Sequence, residues 1–465
     1  MNADILLQNS QRLQSNRSYS AKLSWKRKEG VDLRRQIKEF IEVNFNIKLP
    51  TSWNQFKKYT LGSKIYNEIK ESYGELARCY YTLGNYGQSV GSLFTNGTHT
   101  EVFTNGHLFS KHRLDPVWNW KKSKLIRTVY YNFLKTSKIY KQFTPAHITL
   151  TLPHANGLYK GNEFYAKELI EHFNLIRKTA WWKKFVHAGE YGVETTGNSV
   201  NGLHIHIHSL AFLKVEKLNA FRTKLQSAWL KATGATQVWV ESLYIYKKDD
   251  ANHFITEMKD PSKLETFEQS DGTYTSVPIG KIVVKKKFYI QDEIKQINQS
   301  NATVDEKEDQ ILQLHTKAIL ETIKYHFKND SIKLSDGNYN IFLINEILKN
   351  TRNKRLYSRY GAFYKEPELN FNRMDEDEQG EELNEANSET VINPFTMEET
   401  PISETQLVVF YPEHLTYTGR LSSRPHTPLP MKTNVFDYME GKSVKEILKT
   451  LITSKFKKRQ KAMEL

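Results

Sequence analysis

The sequence predicts an α+β chain, a largely antiparallel sheet with helices packed on it. Three observations lead there. Residues 147–152, "HITLTL", alternate in polarity as a half-buried strand does. Residues 201–212, "NGLHIHIHSLAF", set His204, His206 and His208 at every second position of an otherwise apolar run. In a strand these three imidazoles share one face, and Ile205 and Ile207 pack behind them. Segments of helical periodicity then separate the strand-like ones, in the order strand, helix, strand, strand, helix, strand, helix.

Taken in order, residues 1–30 are polar without periodicity and read as a loose arm. "VDLRRQIKEFIEVNFNI" gathers Leu33, Ile37, Phe40 and Ile41 on one helical face, with Asp32 near its start. Residues 85–110 alternate Gly, Asn, Ser and Thr with short β-like runs. After "HITLTL", "FYAKELIEHFNLIRKTAWWKKFV" reads as a helix. "GEYGVETT" and "LHIHIHSLAF" read as two strands joined at "GNSVNG". "VEKLNAFRTKLQSAWLKATG" is a helix closed by Gly234, and "VWVESLYIYK" is a further strand. Residues 247–305 are polar, with one strand-like patch at "KIVVKKKFYI", and read as an insertion. "DEKEDQILQLHTKAILETIKYHFK" is a strong helix.

The segmentation that follows has four parts. Residues 1–135 form an arm and an α/β extension expected to bind DNA. Residues 136–365 form the main domain, 366–406 an acidic, disordered linker, and 407–465 a terminal segment with a helix that finishes basic.

Composition bounds the function. The net charge is +15 and the pI about 9.3. Residues 374–400 carry ten acidic residues and no Lys or Arg, so without them the charge is +25. That balance favours a polyanionic partner, and 25 Tyr and 24 Phe among the cations suit stacking on single-stranded bases. The single cysteine, Cys79, excludes an intrachain disulfide and a cysteine-rich zinc site. No apolar run approaches the ~18 residues of a membrane span, and the N-terminus lacks a secretory signal. A cytoplasmic location is expected.

In "ETIKYHFK", residues 321–328, Glu321 and Tyr325 are i, i+4 neighbours on a helix and Lys328 lies three further on. Such a stripe alone is ordinary helix surface, and histidines on a strand face can be merely solvated. Together they make a coherent chemistry. A phenol attacks a phosphodiester when it is held in line. A divalent ion held by imidazoles and a carboxylate polarises the phosphate, a lysine offsets developing charge, and a glutamate activates a second nucleophile.

Here the chain resembles the rolling-circle replication initiator (Rep) proteins of small bacterial plasmids, within the HUH endonuclease superfamily. "ITLTLP", "GVETTGNSVNGLHIHIHSLAF" and "ETIKYHFK" resemble the three Rep motifs in their order. "RNKRLYSRYGAFYK", residues 352–365, is similar to a segment that follows the third motif in one branch. The resemblance covers about 75–365. It implies an HUH palm, a five-stranded antiparallel sheet flanked by helices in a ferredoxin- or RRM-like manner. It also implies nicking of single-stranded or hairpin origin DNA through a 5′-phosphotyrosine.

By that resemblance Tyr325 is the nucleophile, Glu321 the termination base and Lys328 a phosphate contact. His206 and His208 hold Mg²⁺ or Mn²⁺, and Glu194 and His204 are further candidates for its shell. A host helicase and polymerase are the implied partners, and no membrane is involved. A mobilisation relaxase or transposase would share this site, whereas a non-catalytic DNA-binding protein would use the histidines structurally. One departure stands out. Asp115 and Trp118 occupy positions where many relatives carry Cys-x-x-Cys, so structural zinc is expected to be replaced by packing of Trp118 and Trp120, with Cys79 as a remnant.

Overall fold

The computed structural model describes residues 3–84, 89–96, 99–107, 110, 112–152, 165–198, 202–214, 218–259, 264–268, 274–278, 282–323, 332–334, 337–369 and 390–412. The chain forms two compact units. The first comprises residues 1–125, 329–352 and 370–465, and the second comprises 126–328 and 353–369. Residues 329–352, which the sequence segmentation assigns to the main domain, thus group with the first unit. Among the described residues no helix is long and apolar enough to cross a membrane.

The first unit begins with α1 (Ala3–Phe45), followed by α2 (Trp53–Thr60) and α3 (Lys64–Gly84). The long first helix corrects the expectation of a loose arm over residues 1–30. Its buried stripe runs through Asn9, Leu13, Ser20, Leu23, Ser24, Leu33, Ile37 and Ile41. Small polar residues stand where an apolar repeat would normally be read. Strands β1 (Ser89–Thr95) and β2 (Thr100–His107) pair as an antiparallel hairpin where the sequence shows short β-like runs in 85–110.

Helix α4 (Pro116–Ser137) starts beside Asp115, whose buried carboxylate accepts from the backbone N–H of Ser110, Val117 and Trp118 and from the Ser110 hydroxyl. At Asp115 and Trp118 a helix cap therefore organises the turn. Trp118 is buried and Trp120 packs on Tyr19 with ring centroids 5.4 Å apart. Cys79 is buried with its Sγ 3.7 Å from His112 Nδ1.

In the second unit α5 (Ile139–Gln142) leads into β3 (Thr144–Thr151). One predicted helix is two, α6 (Tyr165–Lys178) and α7 (Ala180–Phe185), broken where the Thr179 side chain caps α7. Strands β4 (Val186–Asn198) and β5 (Gly202–Leu213) pair along their length, α8 (Leu218–Thr233) ends before Gly234 at φ +72°, and β6 (Val238–Ser242) follows.

The expected insertion is more regular than its polarity indicates. β7 (Tyr244–Ile245), β8 (Thr256–Lys259), β9 (Leu264–Glu268), β10 (Tyr274–Pro278), β11 (Ile282–Lys285) and β12 (Phe288–Tyr289) form three nested antiparallel pairs, and α9 (Ile290–Gln299) and α10 (Val304–Ile323) follow. Its apolar residues Met258 and Val283 are exposed, so backbone pairing rather than burial defines this ribbon.

Helix α11 (Ile341–Thr351) belongs to the first unit, and β13 (Tyr357–Gly361) returns to the second. The result is a five-stranded antiparallel sheet in the order β13-β4-β5-β3-β6, so the fold is mixed α+β. One sheet face carries Ile148, Leu150, Ile205, Ile207 and Val240, and it supplies the core with Phe173, Trp182, Phe221 and Trp229 from α6, α7 and α8. Trp229 is fully buried and donates to the Thr151 carbonyl at 2.8 Å.

Strands β14 (Thr390–Ile392), β15 (Glu399–Pro401) and β16 (Gln406–Phe410) correct part of the expected disordered linker. β14 pairs with β15, and β16 pairs with β1. Val391 and Ile392 close a small core with Leu13, Phe94 and Phe103. The most acidic stretch and the terminal basic helix lie outside the described residues.

Candidate active site

Opposed residues of antiparallel strands point to the same face, so the register of the sheet assembles the site. Glu194 on β4 stands directly opposite His206 on β5, and His208 is opposite Thr149 on β3. Alternation then puts Glu194, His206, His208, Thr149 and His147 on one face, opposite the face that fills the core. β4 and β5 pair without a break from Gly189 to Asn198.

The geometry centres on His208, which is buried. Its Nε2 lies 2.9 Å from Glu194 Oε2, and its Nδ1 lies 3.1 Å from His147 Nε2 and 3.2 Å from the Thr149 hydroxyl. The His206 and His208 rings are 5.9 Å apart. His147 was legible as part of "HITLTL" but not as a site residue. Its signal was the register alone, since "HITLTL" can pair with the histidine strand so that His147 and Thr149 face His208. His204 lies on β5 opposite Thr196, which settles its strand position.

The same face continues to a second carboxyl. Glu190, four residues before Glu194, is completely buried and accepts from the Tyr357 hydroxyl of β13, with Tyr130 of α4 beside it. Burial pushes its carboxyl up to about 7, only partly offset by the two phenols and by Arg359.

Helix α10 packs against β5 and β7. It is tied to the end of the α4–α5 segment by Lys141–Glu308 at 2.7 Å and Tyr131–Asp309 at 3.4 Å. α10 therefore packs on the strand that carries the three histidines. Glu321 is half-buried in its last turn. Tyr325 and Lys328 lie outside the described residues.

The donor set of two imidazoles and one carboxylate suits a divalent cation without strong preference among first-row and alkaline-earth ions. Among the described residues no three His, Cys, Asp or Glu side chains converge as a ligand cage. His208 Nε2 is instead directed at Glu194, and a cation would take the place of the hydrogen held between them. His147 and Thr149 on the other ring nitrogen would then fix the orientation of His208, as partners of a ligating imidazole do. No family model, no curated protein and no solved structure matches the chain.

Proposed function

We propose that this chain is an HUH-type endonuclease and strand transferase that nicks single-stranded or hairpin DNA at an origin and so initiates rolling-circle replication. The observation that carries the reading is the strand register that sets His206, His208 and Glu194 on one sheet face, with α10, which holds Glu321 in its last turn, packed against β5; Tyr325 follows the end of that helix by two residues in sequence. A five-stranded antiparallel sheet flanked by helices agrees with the HUH palm that the motifs imply. His206, His208 and Glu194 would hold Mg²⁺ or Mn²⁺, with His204 the weaker candidate. The bound ion supplies charge neutralisation at the scissile phosphate.

The chain's own residues do the rest. The Tyr325 oxygen bonds to phosphorus as the bond to the 3′ oxygen breaks, leaving a 5′-phosphotyrosine and a free 3′ hydroxyl for a polymerase. Lys328 contacts the phosphate. Glu321 takes the proton of a later water or hydroxyl, so that the adduct is resolved without a second tyrosine. Strand separation falls to a host helicase or to supercoiling, since the sequence has no Walker A pattern.

The test is a denaturing gel of the full chain with Mn²⁺ and labelled circular single-stranded DNA of the replicon that encodes it. Tyr325→Phe and Glu194→Gln are run beside it. A covalent protein–DNA band lost in Tyr325→Phe and suppressed in Glu194→Gln is expected. Tight binding without any cleavage would favour a binding protein whose histidines are structural. Cleavage confined to a transfer origin or an element end would favour a relaxase or transposase.

A further inference from the structure

Away from the histidines, the second unit has a cavity of about 480 Å³ within the ~300–1,000 Å³ range of small-ligand sites. It lies between the ends of α6 and α7, the starts of β4 and the end of β13, and Lys214 just after β5. Lys214 is six residues from His208 along an extended strand, roughly 20 Å at ~3.3 Å per residue. It is therefore separate from the site described above.

Its charge is one-sided. Arg177, Lys178, Lys183 and Lys214 line it, Lys214 Nζ donating to the Lys183 carbonyl at 3.3 Å, and among the described residues none of the four has a carboxylate within ion-pair distance. Arg177 is the most telling. Its guanidinium sits among the rings of Phe173, Tyr191 and Tyr360, with centroids 5.0–5.2 Å away, and it donates to Asn174, yet its Nε is buried with no hydrogen-bond partner. Cations in the last turns of α6 and α7 are favoured by the helix dipoles. That accounts for Lys178 and Lys183 but not for Lys214, which arrives from a strand. An aromatic-backed guanidinium is suited to phosphate. His187, stacked on Phe143 at 4.0 Å, adds a ring at the rim of the kind on which a base stacks.

We infer that this pocket is a second nucleic-acid contact that takes backbone phosphates of a single strand outside the candidate active site. The proposed function enters only in the choice of polyanion. The test uses the full chain and a fluorescein-labelled single strand of about 20 nucleotides, with affinity read by anisotropy over a range of salt. In the Lys183→Ala, Lys214→Ala double variant, two lost phosphate contacts lower the slope of log K against log salt by ~1.4. Adduct formation at saturating strand stays unchanged.

An unchanged slope and affinity overturn the inference. A reduced slope in a protein that never forms an adduct leaves the pocket standing and removes the nicking reading instead. Acylation of Lys183 and Lys214 by an amine reagent, read by mass spectrometry on the wild-type chain, is an independent check. Protection by the strand supports the assignment. Protection by inorganic phosphate or a nucleotide but not by the strand assigns the pocket to a small anion and overturns it.

Discussion

Glu190 makes the folded chain sensitive to pH in a way that can be worked out beforehand. Its carboxyl ionises at an ordinary 4.5 in the open chain and at about 7 in the fold, because it is buried. A raised carboxyl means that the folded state holds the proton more tightly. Its stabilising contribution is therefore fully present below pH 4.5 and is lost as pH rises through 7. At ~1.4 kcal/mol for each pH unit of separation, ionised Glu190 costs the second unit at most about 3 kcal/mol above pH 7.

Glu190→Gln keeps an oxygen for the Tyr357 hydroxyl and removes the ionisation. Its stability relative to wild type should climb by that amount between pH 4.5 and pH 8, about 6–12 °C in Tm for a unit of this size. An unpaired amide hydrogen would add a constant offset and leave the slope intact. The assay is thermal unfolding of both proteins at several pH values. A difference that does not change with pH would refute the reasoning and imply that Glu190 ionises in the fold as readily as in the open chain.

Three further outcomes follow from packing and capping. Gly189→Ala drives a Cβ into the Leu210 carbonyl oxygen and the Tyr360 hydroxyl where β4 meets β13, costing ~3 kcal/mol or more, measured by denaturant unfolding. Asp115→Ala removes four accepted hydrogen bonds at the start of α4, which should destabilise by ~2 kcal/mol. Asp115→Asn, which keeps one oxygen, should recover part of it. Trp229→Phe loses the bond to the Thr151 carbonyl and leaves a gap in the core, and a loss of ~2–3 kcal/mol is expected by the same measurement.

Four of the five strands of the central sheet were legible because each alternates or runs apolar between turn signals. The fifth, β13, was not. "YSRYG" offers polar-capable side chains to both faces, with Tyr357 and Arg359 toward Glu190 and Tyr360 toward the core, so no alternation of hydropathy marks it. Helix α1 escaped for a related reason. Asn9, Ser20 and Ser24 occupy buried positions, and a reading that counts apolar residues sees a gap there. The histidine strand and Glu194 were legible as types and spacing. The partnership of His208 with His147 and Thr149 belongs to strand register, which local sequence does not carry.

The return of the chain to place β13 has a consequence for biosynthesis. Residues 144–242 hold the other four strands, but β4 keeps one bare edge until residues 357–361 have been made, after the chain has passed through α11. Until then the backbone of Gly189 to Gly192 is unpaired on one side and Glu190 lacks the Tyr357 hydroxyl. A nascent chain therefore holds a half-open sheet through more than a hundred residues of translation, an edge able to pair with a neighbour on the same message. Fragments that stop before residue 357 inherit that liability permanently.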